Sequence, residues 1–360
     1  MENTKPARAS GFPYFSALGA PSGVEEIARR TDVSVKTVMR VMQRSPLVSV
    51  DTRNRVLASM RELGWSFPSA RAVQRPALVG LVYDNPSAQY VVDVQRSVLA
   101  ALNETGVGLV VHPCDSGRSD YVEGVRRFAL RHGLSGLLLI PRVSEDELLA
   151  TALREAGCCY VRVASIPLDD PARTVLTRDR KAGAEAARHL LTLGHRHFGV
   201  IAGPRRYRSS IERVEGFVQV LFEAGLGPSA LEVYQGSYTF ESGIAGAEYL
   251  LAQRPRPTAI FACNDEMASG CYHVALRRGL AIPEDLSMVG YDDSPIAAQL
   301  SPGLTSVHLP VDEVGQLAVR SLLHGLGWRT GGVVAREAAV TPRLTVRDST
   351  RSPAVAEATG

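Results

Sequence analysis

Apolar positions over residues 24–63 recur three and four residues apart, which is the spacing of amphipathic helices. They form three groups separated by polar breaks: Val24, Ile27 and Ala28, then Val38, Val41 and Met42, then Val56, Leu57, Met60 and Leu63. Ser34 and Ser49 stand where an N-cap would begin the second and third helices. Three short helices, the first two joined by a tight turn, predict a helix-turn-helix unit over residues 22–66, an all-α headpiece.

From residue 77 onward the pattern changes to short, nearly continuous apolar runs separated by segments of helical spacing. Such runs are typical of parallel strands that are buried on both faces. A first series contains ALVGLVYD, GVGLVVHP, LSGLLLIPR and CCYVRVAS, and a second, after residue 179, contains HFGVIAG, TAIFACND and LSMVGYDD. Two successive series predict an α/β domain of two similar lobes, each a doubly wound parallel sheet. Ligands bind such sheets at the carboxyl ends of the strands, so we expect a cleft between the lobes.

Composition narrows the class of protein. Of the 360 residues, 45% are hydrophobic and 21% are charged, which is typical of a soluble globular protein. No apolar run reaches the roughly 18 residues that would indicate a membrane span. Residues 1–21 lack the continuous apolar core of a signal peptide, so they and residues 351–360 are expected to be disordered tails. Five cysteines without a CxxC pair then indicate reduced thiols in the cytoplasm.

Charge is divided unevenly along the chain. Residues 1–76 hold 12 Lys and Arg against 6 Asp and Glu, whereas the remaining residues hold 28 against 31. A basic N-terminal segment on a mildly acidic body predicts a polyanionic partner for that segment alone. Charge by itself does not separate this prediction from a solvated basic face.

In a helix-turn-helix unit the second helix lies in the major groove of DNA, with its N-terminal residues at the base edges. Val35, Lys36 and Arg40 are predicted to face outward, where the cations donate to guanine and the valine meets a thymine methyl. Three hydroxyl residues suit phosphate contacts: Ser34, Thr37 and Thr52. The alternative is a small helical bundle with a solvated basic face.

A family resemblance favours the DNA-binding alternative. Residues 24–65, VEEIARRTDVSVKTVMRVMQRSPLVSVDTRNRVLASMRELGW, resemble the DNA-binding headpiece of the LacI/GalR family of bacterial transcriptional regulators. The family pattern is IxDVAxxAGVSxxTVSRVLN followed by VSxxTRxRVxxAxxELGY, and the match needs no gap. Thr31 and Asp32 replace the usual Ala-Gly turn, and Met39 replaces a serine. Gln43 stands where the family has asparagine, and the resemblance implies that its amide contacts DNA.

The resemblance also implies a hinge over residues 67–76, FPSARAVQRP. In the family a short hinge helix of the form PNxxARxL folds on operator DNA and wedges a leucine into the minor groove. Ala70 and Arg71 match the family's AR, and Val73 stands for the leucine. Arg71 and Val73 are therefore expected DNA contacts, with a plain linker as the alternative.

Four further motifs resemble the family's effector-binding domain, which is shaped like a periplasmic sugar-binding protein. They are HLLTLGHRHFGVIAGP at 189–204, RVEGF at 213–217, FACND at 261–265 and MVGYDD at 288–293. The likeness extends over 24–350 and implies an effector-binding and dimerisation domain over 77–350. Its lobes would comprise roughly 77–178 with 309–340 and 179–308 with 341–350.

Carried over to this sequence, the resemblance implies an effector pocket with these residues: Asp84, Asn85, Tyr90, Arg213, Tyr238, Asn264 and Asp292. Arg213 would supply a fork of donors, Asp292 a double acceptor and Tyr238 a stacking surface. The alternatives are structural: strand-end caps for Asn264 and Asp292, a surface ion pair for Arg213 and core packing for Tyr238.

The implied function is a sequence-specific DNA-binding regulator, expected to be a repressor, that binds a pseudo-palindromic operator as a homodimer. A small sugar is the expected effector; a purine, or no effector at all, is the alternative. The chain has no GxGxxG after a strand and no GxxxxGKS/T, GxSxG or HExxH motif, and its histidines and cysteines form no metal-spaced cluster. Neither an enzyme nor a cofactor or metal is therefore expected. The implied location is the cytoplasm, on the nucleoid when operator is bound.

Overall fold

The computed structural model describes residues 22–42, 48–63, 77–103, 105–168, 170–328 and 338–353. The chain divides into two compact units, Met1–Arg75 and Pro76–Gly360. Several predictions lie outside the described residues: the tail at 1–21, the hinge at 67–76, and the DNA contacts of Gln43, Arg71 and Val73.

Three helices pack around a small apolar core in the N-terminal unit. They are α1 (Ser22–Thr31), α2 (Val35–Met42) and α3 (Val50–Glu62). Ile27, Val38 and Val56 are fully buried between them, one from each helix. The predicted helix-turn-helix unit is confirmed, because its apolar positions form one core as their spacing requires.

Serine N-caps begin two of these helices. The amide of Thr37 donates to Ser34 Oγ at 3.1 Å, and the amide of Thr52 donates to Ser49 Oγ at 3.2 Å, as the sequence predicts. In the turn between α1 and α2, Asp32 has a φ of 48°. Aspartate enters this left-handed region more readily than most residues, so the turn forms where the family has glycine.

The C-terminal unit alternates strands and helices. The first series contains β1 (Leu78–Tyr83), α4 (Ala88–Leu102), β2 (Gly108–Pro113), α5 (Tyr121–His132), β3 (Gly136–Leu139), α6 (Glu147–Glu155), β4 (Cys159–Ala164) and β5 (Thr174–Leu176). The second contains α7 (Asp179–Thr192), β6 (Phe198–Ala202), α8 (Arg208–Glu223), β7 (Leu231–Gln235), α9 (Phe240–Leu250), β8 (Ala259–Ala262), α10 (Asp265–Arg277), β9 (Ser287–Asp292), α11 (Pro295–Gln299) and β10 (Thr305–His308). The last elements are α12 (Val311–Gly325), β11 (Ala338–Ala339) and β12 (Arg343–Thr345).

Two six-stranded sheets result, and each is the centre of one lobe. The strand order is β11-β5-β4-β3-β1-β2 in the first lobe and β12-β10-β9-β8-β6-β7 in the second. Within the described strands, every pair is parallel except β10 with β12. The central strands β3 and β8 are buried along their whole length, as the continuous apolar runs predict. The predicted fold of two doubly wound lobes is confirmed.

The described chain crosses between the lobes three times, from β5 to α7, from β10 to α12 and from β11 to β12. After the second crossing, α12 packs on α4 of the first lobe, where Ser97 Oγ donates to the Asp312 carbonyl at 3.0 Å. Short crossings that lie side by side are the usual structural basis of hinge closure around a ligand.

A buried histidine fastens the end of the described chain to the second lobe. His195 Nδ1 lies 2.8 Å from Thr258 Oγ1, and its Nε2 lies 2.9 Å from the Arg351 carbonyl oxygen. The Arg351 amide also donates to Ser287 Oγ at 3.1 Å. The disordered tail predicted from residue 351 therefore begins too early, because the buried imidazole holds Arg351 as a hydrogen-bond partner. Residues 354–360 lie outside the described ranges.

Two other features bear on the expectations from composition. All five cysteines are described and free, and Cys263 and Cys271 are buried. Burial raises the pKa of both thiols, which lowers the fraction of reactive thiolate. None of the helices in the described ranges combines the length and the apolar character needed to cross a membrane.

Helices α7 and α8 approach so closely that only glycine fits at their contact. A Cβ atom at Gly216 would lie 1.9 Å from the carbonyl oxygen of Arg180, and one at Gly183 would lie 1.9 Å from that of Arg213. Backbone atoms cannot yield as the end of a flexible side chain can. These two glycines therefore fix the distance between the helices and the position of the Arg213 backbone.

We expect Gly216→Ala to lower the free energy of unfolding by about 1–3 kcal/mol, because the added methyl group forces the helices apart. Gly124→Ala is the matched control. A Cβ there meets nothing within 4 Å, so the better helix propensity of alanine should raise stability by up to about 1 kcal/mol. Urea unfolding followed by circular dichroism measures both changes. Equal effects of the two substitutions would show that the helix contact is not tight.

Candidate functional site

Helix α2 separates its apolar and polar residues as the sequence predicts. Val38 is 0% and Val41 2% exposed, in the core of the N-terminal unit. On the other side, Val35 is 44% exposed, Lys36 is exposed and Arg40 is half-buried. The exposed valine and the two cations, which have no ion pair with the described residues, lie on one face of α2, and this combination suits base edges in a major groove.

The predicted phosphate-contacting hydroxyls lie at the first turns of α2 and α3. Ser34 Oγ lies 2.9 Å from Thr37 Oγ1, and Ser49 Oγ donates to Thr52 Oγ1 at the same distance. The N-terminus of a helix attracts anions through its free amides and its dipole. Both helix starts can therefore receive backbone phosphates, although the serine Oγ atoms already accept one amide each.

We expect Arg40→Ala to cost about 1–3 kcal/mol of binding free energy on the preferred DNA and to relax the preference at one base position. An exposed arginine of the C-terminal unit, Arg131, changed to alanine is the control. Fluorescence anisotropy against DNA selected from random duplexes, and against random DNA, measures both affinities. If the ratio of the two affinities stays unchanged, this face of α2 does not read bases.

Between the lobes lies a small cavity, called here the effector cavity. It is lined by Asn85, Ser87, Tyr90, Pro141, Thr177, Asp179, Tyr207, Ser209, Arg213, Tyr238, Asn264, Asp292 and Leu309. Most of these residues follow the carboxyl ends of strands in both sheets, where parallel sheets bind ligands. Its volume of about 40 Å³ has room for only a few water molecules, so the lobes are closed on each other.

Arg213 reaches the cavity from the second turn of α8. Its Nε donates to Asp179 Oδ1 at 2.8 Å and its Nη1 to the Cys263 carbonyl at 2.5 Å. The guanidinium carbon lies 3.4 Å from the centre of the Tyr291 ring, in cation–π contact. Arg213 is 7% exposed, so the alternative of a surface ion pair is wrong.

Two of the residues that hold Arg213 are not among the predicted site residues. Asp179 begins α7 and accepts from the Tyr291 hydroxyl at 2.9 Å as well as from the Thr177 hydroxyl. Both Asp179 and Tyr291 are buried. Tyr291 immediately precedes Asp292 in the GYDD motif. Its position next to a predicted site residue was the sequence signal that could have identified it.

Asp292 ends β9 with its carboxylate at the cavity. Its φ of 103° places the side chain outside the regular strand direction. Within the described part of the chain, no hydrogen bond is made to its carboxylate. Burial raises the pKa of Asp292 well above its usual range, against the opposing positive charge of Arg213. In the closed cleft, Asp292 therefore offers a ligand a carboxyl group that makes no hydrogen bond with the described residues.

Asn264 has a structural role as well as a place in the cavity wall. Its Oδ1 accepts from the Met267 amide at 2.9 Å, which caps α10, and its Nδ2 donates to the Tyr238 carbonyl at 3.0 Å. Tyr238 has a φ of 67°, so the second bond holds an unusual backbone conformation. Asn264 thus caps the start of a helix and not the end of a strand, and it also lines the cavity.

Tyr238 lines the cavity with little of its ring face free. It is 5% exposed, and its ring covers Gly203, where a Cβ would lie 2.1 Å from the ring. Its ring stands edge-on to that of Tyr207, with centroids 5.6 Å apart at 79°. Its hydroxyl is buried without a hydrogen-bond partner among the described residues. The predicted stacking role of Tyr238 stays a prediction, and the geometry offers its hydroxyl more than its face.

The first lobe contributes the other predicted residues. Asn85 Nδ2 donates to the Pro141 carbonyl at 3.2 Å, and Tyr90 lines the cavity from α4. The Asp84 carboxylate, however, accepts from Ser116 through its amide, at 3.2 Å, and its hydroxyl. Asp84 does not line the cavity: its carboxylate turns toward Ser116, and its contribution to the cleft is a backbone carbonyl.

We expect Asp292→Asn to make the unliganded protein more stable than wild type at about pH 8. An acid with a raised pKa binds its proton more tightly in the folded state, so wild type loses stability as the pH rises above about 4. Asparagine has no such proton and tolerates a positive φ. The difference should vanish near pH 3, where both states bind the proton. Urea unfolding at several pH values measures it, with the exposed Asp312→Asn as control; parallel curves for wild type and Asp292→Asn would contradict the expectation.

Comparison with known proteins gives matches to both units. Residues 24–66 match the family described as bacterial regulatory proteins, lacI family, and residues 187–350 match the periplasmic binding protein-like domain. HTH-type transcriptional regulator MalR of Streptomyces coelicolor is 33% identical over 340 residues, 91% of this chain and 96% of the relative. HTH-type transcriptional repressor PurR of Klebsiella pneumoniae is 31% identical over 310 residues, 83% of this chain and 89% of the relative. A solved structure, the transcriptional regulator CelR-cellobiose complex, has a TM-score of 0.67 and 28% identity, covering 91% of this chain and 99% of that chain.

Proposed function

The chain belongs to the LacI family of bacterial regulatory proteins, and we propose that it is a repressor whose affinity for operator DNA is set by a small carbohydrate held between its lobes. The DNA contacts come from the outer face of α2 and the first turns of α2 and α3. The effector contacts come from the cavity wall, with Arg213 and Asp292 at its centre. The relatives MalR and PurR are transcriptional regulators. The role proposed for this chain requires no catalytic activity. A protein that acts on operator works in the cytoplasm, at the nucleoid.

The main support for a carbohydrate effector is a set of polar groups in the cavity that make no hydrogen bond with the described residues. The Asp292 carboxylate and the hydroxyls of Tyr90 and Tyr238 have no protein partner among the described residues. Arg213 uses Nε and Nη1 on the protein, which leaves its Nη2 hydrogens for a ligand. A sugar hydroxyl both donates and accepts, so one polyol can satisfy a carboxylate, two phenols and a guanidinium at once.

A purine is the second candidate, because a PurR repressor is about as similar to this chain as MalR is. One feature of the cavity disfavours a purine. The Tyr238 ring lies against Gly203 and stands edge-on to Tyr207, so this ring offers little open face on which a flat base could stack.

A homodimer follows from the reading of DNA by a single short helix, because one α2 contacts only a half-site. Two large apolar residues, Val92 and Leu99, lie two turns apart on the same side of α4 and are 53% and 54% exposed. Exposed aliphatic residues on one side of a helix are typical of a surface that is covered in an oligomer. Sedimentation as a stable monomer on operator-length DNA would contradict the dimer.

Calorimetry against a panel of monosaccharides, disaccharides and purines tests the effector class. We expect one sugar to bind wild type and to lose at least about tenfold in affinity with Arg213→Lys, because lysine keeps the charge but not the fork of donors. Arg205→Lys is the matched control. Arg205 is exposed, donates to Gln235 and lies outside the cavity wall, so its change should leave affinity unaltered.

Two outcomes would contradict the proposal. Tight purine binding without any response to sugars would assign the cavity to the second candidate. Sugar binding that is insensitive to Arg213→Lys and to Asp292→Ala would place the effector site elsewhere on the protein.

A further inference from the structure

Helix α8, which carries Arg213, is capped across the cleft by a residue of the first lobe. Its N-cap residue, Tyr207, makes no side-chain capping bond. Instead the Arg208 amide donates to Glu145 Oε2 at 3.1 Å. Glu145 ends a short 3-10 turn, Val143–Glu145, that follows β3 of the first lobe. The cap and the helix therefore belong to different lobes.

The capping carboxylate is itself held by its own lobe. Glu145 Oε1 accepts from Ser165 Oγ at 3.0 Å, and Ser165 follows β4 of the first sheet. The first amides of a helix have no partner within the helix. A carboxylate at this end also interacts favourably with the helix dipole. When the lobes part, the Arg208 amide and the Glu145 carboxylate must both find water instead.

A second hydrogen bond joins the start of α8 to the first lobe. The Tyr207 hydroxyl donates to the Asp84 carbonyl at 2.8 Å, and Tyr207 is 1% exposed. Ser209 and Arg213, one and five residues after Arg208, line the effector cavity. The contact that holds the lobes together thus lies at the start of the helix that presents the effector-binding side chains.

We propose that Glu145 is a positioning residue that latches the closed lobes by capping α8 from the opposite lobe, and so sets Ser209 and Arg213 at the effector cavity. A ligand enters only after this bond and the Tyr207 bond have broken, because the closed cavity of about 40 Å³ holds only a few waters. Closure then remakes the cap and brings Arg213 into place. The latch concerns the lobes themselves and acts whichever effector is bound.

Amide hydrogen exchange in the full-length protein, without effector, measures directly whether the Arg208 amide is hydrogen-bonded to Glu145. We expect the Arg208 amide to be protected in wild type, and to exchange about tenfold or more faster in Glu145→Ala, the factor expected for a hydrogen bond to a charged acceptor. Glu145→Gln should keep most of the protection, because its amide oxygen still accepts from Arg208 and its NH₂ can donate to Ser165. Glu155→Ala, an exposed glutamate at the end of α6, is the control and should leave the exchange unchanged.

Small-angle scattering of the same four proteins, and of Tyr207→Phe as a fifth, measures how far the lobes have separated. Glu145→Ala and Tyr207→Phe should each increase the radius of gyration, and Glu145→Gln should not. An Arg208 amide that exchanges in wild type as fast as an unprotected amide would overturn the latch, and this measurement needs no variant. So would identical exchange and identical dimensions for Glu145→Ala and Glu145→Gln, since a positioning role predicts rescue by the conservative change.

Discussion

The effector domain is organised around one buried cation, the guanidinium of Arg213. Burial of such a charge is unfavourable unless every part of it is matched by a partner. Here the partners come from three places in the second lobe: Asp179 at the start of α7, the Cys263 carbonyl after β8, and the ring of Tyr291 in β9. Parallel strands bring their carboxyl ends to one edge, so residues far apart in sequence meet there. The close contact of α7 with α8 through glycines places the Arg213 backbone within reach of them.

With Arg213 satisfied mainly by the protein, the groups that remain for a ligand are few and specific. Asp292 makes no hydrogen bond through its carboxyl group with the described residues, and the Tyr238 hydroxyl is buried without one. The site therefore combines a fixed cation, which uses only its Nε and Nη1 on the described residues, with a carboxyl group that lacks a hydrogen bond, and a polyol can bond to both. The first turn of α8 joins this wall of the cavity to the opposite lobe through Glu145 and Asp84. The same helix, α8, therefore contacts the ligand and holds the lobes together. Binding of a ligand can in this way change the relative position of the two lobes.

Local rules of sequence predicted a large part of this account. Hydrophobic spacing predicted the three helices of the N-terminal unit and the central strands of both lobes, although it missed the short strands β5, β11 and β12. Ser34 and Ser49 cap their helices as expected. The family resemblance implied Arg213, Asn264 and Asp292 as cavity residues, and all three line the cavity. Pairings across the fold were not predictable in this way. The contact of Asp84 with Ser116 and the stacking of Tyr291 on Arg213 join separate elements of one lobe, and the capping of α8 by Glu145 joins the two lobes. Periodicity along one element carries no information on such pairings.

The central claim is that occupancy of the cleft changes the affinity for operator. Its most direct test is the affinity of the full-length protein for DNA selected from random duplexes, measured by fluorescence anisotropy with and without a saturating amount of the sugar that binds the cavity. Two coupled sites predict a change of about 5- to 150-fold in operator affinity, and an equal change in sugar affinity when operator is present. Tight binding of the sugar with an unchanged affinity for operator would contradict the account.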